Sequence, residues 1–482
     1  MLDKIKIKWI YGICAVFIVL NCIFIVNEFY WFALFPVLLL ILLLFIFSLD
    51  TLLLLIVFFT PLSINLSDFD FNVGVSLPTE PLMAAVMLLF FVRIIYEGRF
   101  EGRITRHPVS IVIIIYLLWI LMTSITSTMP WVSFKFLIAR LWFIIPFYFV
   151  GTQFFREYKN IRRFIWAYIL SFIIVIIYTT YNHSLYGFDE QTAHWVMSPF
   201  YNDHTSYGAM LAMFTPFTLG FVFDKKLPNY QRFLSFFVFL FFTMSIVLSY
   251  SRAAWVSLAV ALIVFIILRL KINYKFVIAG IIAVLGIYLY YRYDIVTIIE
   301  KNKQDTSKDY IQHIQSIPNI STDASNLERI NRWHCALRMF NEKPVLGWGP
   351  GTYQFKYAPF QLSSEKTIIS TNAGDKGNAH SEYIGPLAEM GLLGLLSVLA
   401  IVIFVTYTAV KVYKRSESKD IKYLVLMSII SLYTYFVHGF MNNFLDTDKA
   451  AVPFWGFVAL IVALDVYYLN NAKKEDNPSI SD

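Results

Sequence analysis

The stretch FLSFFVFLFFTMSIVLSYSRAAWVSLAVALIVFIILR, residues 233–269, decides the class of fold. It contains two apolar runs that are each long enough to cross a bilayer, since a spanning helix needs roughly 20 mostly apolar residues. Only the short polar turn 249–252 separates these runs, so the chain crosses the membrane and returns almost at once. Residues 233–269 therefore predict two consecutive membrane-spanning helices.

The composition of the whole chain agrees with this stretch. Of 482 residues, 58% are hydrophobic, 18% are aromatic and only 15% are charged, whereas a soluble domain has about 25% charged residues. A soluble core has no room for such an apolar excess, and disordered chains have low hydrophobicity. The sequence predicts an all-α polytopic membrane protein.

The same length criterion predicts about fourteen spanning helices, with a range of about 12 to 14. Their centres lie near residues 18, 38, 57, 88, 117, 142, 172, 214, 241, 260, 283, 397, 432 and 460. The first run has no small-residue cleavage site, which predicts a retained helix rather than a signal peptide.

The distribution of basic residues predicts the side that each loop faces. The net charge of +7 comes from Lys and Arg clusters that recur after every second apolar run, whereas the loops 65–80, 127–133 and 182–204 contain neither residue. Inner loops of membrane proteins collect Lys and Arg. The pattern predicts both termini in the cytoplasm, and it assigns the basic residues to topology rather than to nucleic acid.

One long polar segment, residues 292–382, falls on the predicted outer side. Within it, Ser325-Asn-Leu-Glu328 has the spacing of a helix capping box. Apolar residues follow at helical spacing up to Pro344, at Leu327, Ile330, Trp333, Leu337 and Phe340. A short amphipathic helix is predicted here, either lying on the membrane surface or packed on the rest of the loop.

Two arginines lie in or next to apolar runs. Arg252 is at the outer turn of the hairpin, and Arg140 lies deeper, in FLIARLWFIIP, residues 136–146. A charged residue at such depth usually faces a polar cavity or a ligand, and the planar guanidinium suits phosphate oxygens. The alternatives are that Arg252 extends to lipid phosphates and that Arg140 forms a structural pair.

His380, in NAHSEYIGPLAEMGLLG, residues 378–394, immediately precedes a predicted span. A neutral imidazole is a general base at physiological pH, although an isolated histidine is also compatible with a structural role. Asp446 and Asp448 are either solvated or a site for a divalent ion. The histidines His183, His194 and His204 lack the spacing of metal ligands, so the sequence predicts no metal site and no cofactor.

Several segments together resemble the O-antigen ligase and polymerase family of bacterial membrane glycan transferases. They are Ser249-Tyr-Ser-Arg252, Arg329-Ile-Asn-Arg-Trp333, Leu346-Gly-Trp-Gly-Pro-Gly-Thr-Tyr353 and Asn378-Ala-His-Ser-Glu-Tyr383 running into Glu389-Met-Gly-Leu-Leu-Gly394. The similarity is specific over residues 233–405. It departs from many members at Ser381, where an asparagine is common.

The resemblance implies an inner-membrane glycosyltransferase of cell-envelope polysaccharide, including lipopolysaccharide. Such an enzyme moves a glycan from undecaprenyl diphosphate to an acceptor hydroxyl without a metal or nucleotide sugar, and the acceptor is a glycan, a lipid core or a protein. By position, His380 resembles the base, Arg252 resembles a ligand of the diphosphate, and Arg140 resembles a second one. Arg329, Arg332 and Glu382, which lie in the matching segments, are secondary candidates.

Two other functions remain open: a flippase for lipid-linked oligosaccharides and a protein O-oligosaccharyltransferase. Transporters often consist of repeated halves, and no internal repeat is evident in this sequence. The predicted organisation has N-terminal spans in residues 1–232, the ligase-like core in residues 233–405 with its outer loop, and C-terminal spans with a cytoplasmic tail in residues 406–482.

Overall fold

A computed structural model describes residues 2–28, 48–69, 74–98, 100–273, 275–280, 282–284, 286–287, 289–291, 317–367, 370 and 377–469. Over these residues the chain is mostly helical, which confirms a polytopic all-α membrane protein. It divides into two units, Met1–Ile56 and Val57–Asp482. The first unit includes the helix Leu2–Val26, on which several large apolar side chains are exposed.

The longer helices are labelled in chain order. They are α1 (Leu2–Val26), α2 (Leu49–Phe59), α3 (Thr79–Glu97), α4 (Pro108–Ile125), α5 (Pro130–Phe154), α6 (Tyr158–Leu185), α7 (His204–Phe223), α8 (Asn229–Leu248), α9 (Arg252–Arg269), α10 (Ile317–Glu342), α11 (Ile384–Arg415), α12 (Lys419–Met441) and α13 (Asp448–Tyr468). Short helical turns are Leu66–Phe69, Gly102–Thr105, Thr192–His194, Tyr353–Lys356 and Ala358–Phe360. Two short strands, Ile64–Asn65 and Ser76–Leu77, pair antiparallel, with Ile64 opposite Leu77.

Ten helices of the described part of the chain are long and apolar enough to cross a membrane: α3 to α9 and α11 to α13. Each coincides with one of the fourteen predicted spans. Of the other four, the span near residue 38 lies outside the described residues, and α2 has only 11 residues. The apolar part of α1 is Cys14–Val26, and the run Lys275–Tyr291 is described only in part. The total of fourteen stays a prediction.

Helix α13 forms the centre of the second unit. Almost all of its side chains are buried, and Phe457 packs against aromatic rings from two neighbouring helices, with ring centroids 6.3 Å from Phe164 of α6 and 4.9 Å from Phe217 of α7. By contrast, α8 and α9 are buried over only a small share of their length. Apolar side chains that remain exposed on such helices are suited to lipid contact.

Loops predicted on the same side of the membrane contact one another. On the predicted inner side, Lys411 of α11 and His107, before α4, both bond to Asp465, at 2.7 and 3.1 Å. On the predicted outer side, the hydroxyl of Thr128 donates to the carbonyl of Trp348 at 2.8 Å. Each of these contacts joins segments that the alternation of basic clusters predicts on one side, and the orientation of the loops stays a prediction.

The long polar loop has a small core of its own. Cys335, Ala336 and Met339 of α10 pack with Tyr353 and Tyr357. Helix α10 begins at Ile317 and has 26 residues, so the short helix expected from a capping box at Ser325 is wrong in its length and start. The predicted apolar face is also not the most buried one: Leu337 is 43% exposed, whereas a mixed face that includes Glu328, Arg332, Cys335, Ala336 and Met339 is buried. The helix packs on the rest of the loop, as one of the two alternatives expects.

Residues 344–353 are a glycine-rich part of this loop, and they pack closely against α11. Gly391 interrupts α11 with φ 68°, and a Cβ there would lie 2.2 Å from the carbonyl oxygen of Val345. Gly347 also has φ 68°, and its own Cβ would meet the Glu389 carbonyl carbon at 2.3 Å. Only glycine permits both the left-handed backbone and this close approach of two chains.

Candidate active site

His380 lies in the segment that leads into α11 and has a left-handed backbone, with φ 48°. This conformation is uncommon for a residue with a side chain. Two contacts support it: the His380 amide donates to Oδ1 of Asn378 at 3.0 Å, and Nη1 of Arg332 donates to the Asn378 carbonyl at 3.1 Å. These contacts hold the backbone of His380 and of the residue two before it.

The charged groups that act most strongly on His380 are Arg332, Arg329, Asp203 and Glu328. Burial lowers the pKa of His380 to about 4, and the two arginine charges lower it in the same direction, against the two carboxylates. The ring is therefore neutral at physiological pH. A neutral imidazole accepts a proton, as a general base must.

Arg332 is a buried residue that ties α10 to the histidine segment. Its Nε donates to Glu328 Oε1 at 3.0 Å, while its other contact is the Asn378 carbonyl. The guanidinium also lies 5.3 Å from the ring centre of Tyr357. A Cβ on Gly377 would lie 1.7 Å from Arg332 Nη1. Arg332 is thus a positioning residue for the loop, and its charge acts on His380.

Arg252 begins α9 with an exposed side chain. The turn before it packs closely against α7, since a Cβ on Gly208 would lie 2.8 Å from that of Ser251. Gly208 is about one helical turn from His204, the first residue of α7, which Asp203 caps. Arg252 therefore lies at the same end of α7 as Asp203, one of the groups that act on His380.

His438, near the end of α12, is a site residue that the sequence reasoning missed. It is 1% exposed, and neither ring nitrogen has a hydrogen-bond partner among the described residues. Its titratable neighbours are Asp203, Arg329 and His204. The sequence contains one sign of its role, because His438 is an isolated histidine at the polar end of an apolar run. Three-dimensional packing, rather than spacing, brings it to the cluster.

A cavity of about 210 Å³ borders the histidine segment. Ala379 and Ser381, on either side of His380, belong to its lining, whereas His380 does not. The other polar lining residues are Tyr116, Arg140, Tyr353, Gln354, Asn378, Glu382, Tyr383, Glu389, Tyr435, Asn443 and Asp446. Asn378, Glu382, Tyr383 and Glu389 belong to the histidine motif, whereas the side chains from α4, α5 and α12 reach the cavity only through tertiary packing.

Arg140 lines this cavity and is 6% exposed. Its Nη2 forms an ion pair with Asp446 Oδ1 at 2.5 Å, and its Nη1 donates to the Leu445 carbonyl at 2.5 Å. Its guanidinium carbon also lies 4.7 Å from the ring centre of Phe136. The structural pair that the sequence left open as an alternative is therefore present.

Glu382 is buried between α11 and the turn that follows α12. It accepts hydrogen bonds from the Tyr435 hydroxyl at 2.7 Å and the Leu445 amide at 2.8 Å, and its own amide donates to the Gly439 carbonyl at 2.8 Å. Burial raises the pKa of Glu382. These contacts give Glu382 a role in shaping the cavity.

The two aspartates considered as metal ligands have separate partners. Asp446 pairs with Arg140, whereas Asp448 accepts hydrogen bonds from Ser63 and Thr79, both at 2.5 Å. Among the residues that the structure describes, no group of three or more His, Cys, Asp or Glu side chains is arranged to hold a metal ion.

The fold and these side chains define a polytopic helical membrane protein with a histidine–arginine cluster and a cavity beside it. Residues 237–399 match the family model described as O-antigen ligase. The match covers about a third of the chain, and over this segment it confirms the resemblance inferred from the sequence. It includes Arg252, Arg329, Arg332, His380 and Glu382, whereas Arg140 precedes it. No curated protein matches the chain.

Proposed function

We propose that the protein transfers an undecaprenyl-diphosphate-linked oligosaccharide or polysaccharide to an acceptor hydroxyl at the outer face of the bacterial inner membrane. The family of residues 237–399 supports transfer of a lipid-linked glycan. The observation that carries the proposal is a neutral His380 beside the cations Arg329 and Arg332. A base and fixed cations are the two elements that such a transfer requires.

In the proposed reaction, His380 is the general base. The acceptor oxygen attacks the anomeric carbon of the donor sugar as its proton passes to the imidazole. The bond between the anomeric carbon and the diphosphate oxygen breaks, and undecaprenyl diphosphate leaves with the electron pair. In-line displacement inverts the anomeric centre.

The developing charge on the diphosphate is assigned to arginines. Arg252 and Arg329 are the proposed ligands, because guanidinium groups bind phosphate oxygens in a bidentate manner. Arg332 acts through its contact with the histidine segment. Arg140, the second ligand that the resemblance implies, remains a hypothesis, and its pairing with Asp446 favours a supporting role in the neighbouring cavity.

The central test is the substitution His380→Ala in the full chain, reconstituted with a lipid-linked donor. We expect transfer to fall by at least about 100-fold, the typical contribution of a general base. His334→Ala is the matched control, since His334 lies in the same loop but is exposed and pairs with Glu365. Undiminished transfer by His380→Ala would remove the base from the mechanism.

Mass spectrometry of the products distinguishes the possible acceptors. Chains that lengthen on undecaprenyl diphosphate identify a polymerase, and glycan moved to another lipid or to a protein identifies a ligase. If the wild-type protein moves the lipid-linked glycan across vesicles without forming any new glycosidic bond, it is a flippase and the proposed function is wrong.

A further inference from the structure

We infer that the oxygen cage around the ammonium group of Lys449 is a site for a monovalent cation, which the chain fills with its own side chain to position the turn before α13. Lys449 lies in the first turn of α13, and residues 442–447 connect α12 to this helix. The positioning of the turn rests on the proposed function, whereas the cation site itself does not.

Four oxygen atoms surround the Lys449 ammonium. Its Nζ donates to the carbonyls of Thr60 and Ser63 at 2.7 and 2.6 Å and to the Ser63 hydroxyl at 2.6 Å, and the Pro61 carbonyl lies at 3.3 Å. Thr60, Ser63 and Lys449 are all buried. An ammonium group has three N–H donors, so the cage supplies more oxygen atoms than the lysine needs.

The kind and spacing of these oxygen atoms fit a large monovalent cation. Mg²⁺ and Ca²⁺ bind oxygen at about 2.0–2.6 Å, whereas the cage oxygens lie 2.6–3.3 Å from the charged nitrogen. Three of the four are backbone carbonyls, which replace the hydration shell of K⁺ in channels. The ring centre of Tyr201 lies 5.5 Å from Nζ, and aromatic rings attract cations. This chemistry suits an ammonium ion or K⁺.

The surroundings require a positive charge at this point. Asp448 and Glu80 are buried, and they are the charged groups that act on Lys449. Asp448 is joined to the cage itself, because the Ser63 hydroxyl that accepts from Lys449 donates to Asp448 Oδ2 at 2.5 Å. Removing the ammonium leaves Asp448 and the carbonyls without a compensating charge, which is costly in a buried place. A free cation is therefore attracted to a cage that has lost its lysine.

The cage also fixes one end of the turn 442–447. Within this turn, the Leu445 amide donates to Glu382, and Asp446 pairs with Arg140 in the cavity beside the histidine segment. Lys449 follows shortly after and anchors the start of α13 on residues 60–63. Lys449 does not line the cavity itself. It is thus a positioning residue, which acts on the site through Leu445 and Asp446.

The test compares Lys449→Ala with Lys449→Met in the full chain. Alanine removes the ammonium and leaves space for a free ion, whereas methionine removes the charge but still fills most of the space of the lysine side chain. Both variants are purified in KCl and then exchanged into choline chloride of the same ionic strength, since choline is too large for the cage. The unfolding temperature in detergent and the transfer rate are measured in choline chloride, KCl and NH₄Cl.

In choline chloride, we expect both variants to unfold at a lower temperature than wild type and to lose transfer by up to about 100-fold, the effect of a misplaced site. About 100 mM KCl or NH₄Cl should raise the unfolding temperature of Lys449→Ala by at least about 2 °C, because a ligand of the folded state stabilises it. The same salts should restore most of its transfer. Lys449→Met and wild type should respond to neither salt. An equal response of the two variants, or no response of Lys449→Ala, would overturn the inference.

A measurement on the wild type covers the case in which the variants do not fold. Reductive methylation labels lysine amines that solvent reaches, and peptide mass spectrometry locates the label. Lys449 should remain unmodified while Lys226, whose side chain is 63% exposed, is methylated. Methylation of both lysines at the same rate would show that the ammonium leaves the cage, and the inference would then be wrong.

Stability and transfer together separate this inference from the proposed function. If K⁺ stabilises only Lys449→Ala but wild type forms no glycosidic bond with any acceptor, the proposed function fails and the cation site remains. If wild type transfers glycan and K⁺ stabilises Lys449→Ala without restoring its transfer, the positioning role is contradicted while the proposed function stands.

Discussion

Arg140 of α5 and Asp446 of the turn before α13 form an ion pair that joins segments 306 residues apart in sequence. The arginine is buried, whereas the aspartate side chain is 44% exposed. The same guanidinium donates to the Leu445 carbonyl. The pair therefore fixes the turn that closes one side of the cavity.

This geometry predicts energetic coupling between Arg140 and Asp446. We expect Arg140→Met and Asp446→Asn each to destabilise the protein, with a coupling of about 1–2 kcal/mol in a double-mutant cycle, less than a fully buried pair because Asp446 is partly solvated. Thermal unfolding in detergent measures it. If Arg140 instead acts mainly as a diphosphate ligand, Arg140→Met raises the donor KM while Asp446→Asn leaves the donor KM unchanged or lowers it.

The environment of His380 predicts an unusual pH dependence. The ordinary pKa of histidine is about 6.5, and burial with two nearby arginines lowers the pKa of His380 to about 4. The neutral, active form therefore persists as the pH falls. We expect kcat/KM for the donor to stay level from pH 7 to about pH 5 and to decline near pH 4, since kcat/KM reports the free enzyme.

The substitution Arg329→Gln provides the internal check on this pH profile. It removes one of the cations that disfavour imidazolium, so the acid limb of kcat/KM should move upward, toward pH 6.5. The lowered pKa of His380 also affects the free energy of unfolding, because the unfolded chain takes up the proton at a higher pH than the folded one. The contribution of His380 to stability is therefore fully present above pH 6.5 and is lost as the pH falls toward 4. An acid limb that stays in place in Arg329→Gln would contradict the assigned electrostatic coupling.

The sequence predicted the spans well because a membrane imposes local requirements. Each of the ten candidate spans satisfies a length and composition rule within about 20 residues, and basic clusters mark alternate loops. The resemblance located His380, Arg329 and Arg332 through short motifs. All of these signals are contained in a few neighbouring residues.

The parts of the site that depend on tertiary packing were not predictable in this way. The partner of Arg140 lies 306 residues away, and His438 reaches the cluster through the packing of α12. In α10, the apolar stripe does not coincide with the face that is buried. That face combines Cys335, Ala336 and Met339 of the loop core with Arg332, which contacts Glu328 and the histidine segment.

The proposed mechanism predicts that a chelator does not inhibit the reaction. Arg252 and Arg329 supply positive charge to the diphosphate, and Asp446 and Asp448 are occupied by Arg140 and by hydroxyl groups. Transfer should proceed at an unchanged rate after EDTA treatment and dialysis. Loss of transfer that Mg²⁺ or Mn²⁺ restores would show that a divalent ion shares the role given to the arginines.

The junction between the glycine-rich segment and α11 predicts a steep difference between two glycines. Gly347→Ala forces a left-handed alanine whose Cβ would lie 2.3 Å from the Glu389 backbone, so we expect a loss of at least about 2 kcal/mol in stability. Gly151→Ala is the control, because Gly151 is a helical glycine of α5 outside the cavity lining and its nearest neighbour lies at 3.5 Å. Unfolding temperatures measured in the same detergent compare them. Since Gly347 holds the loop against α11 beside the cavity, transfer should fall together with stability in Gly347→Ala and remain near wild type in Gly151→Ala. Equal stability of the two variants would mean that this junction tolerates a side chain and does not fix the loop.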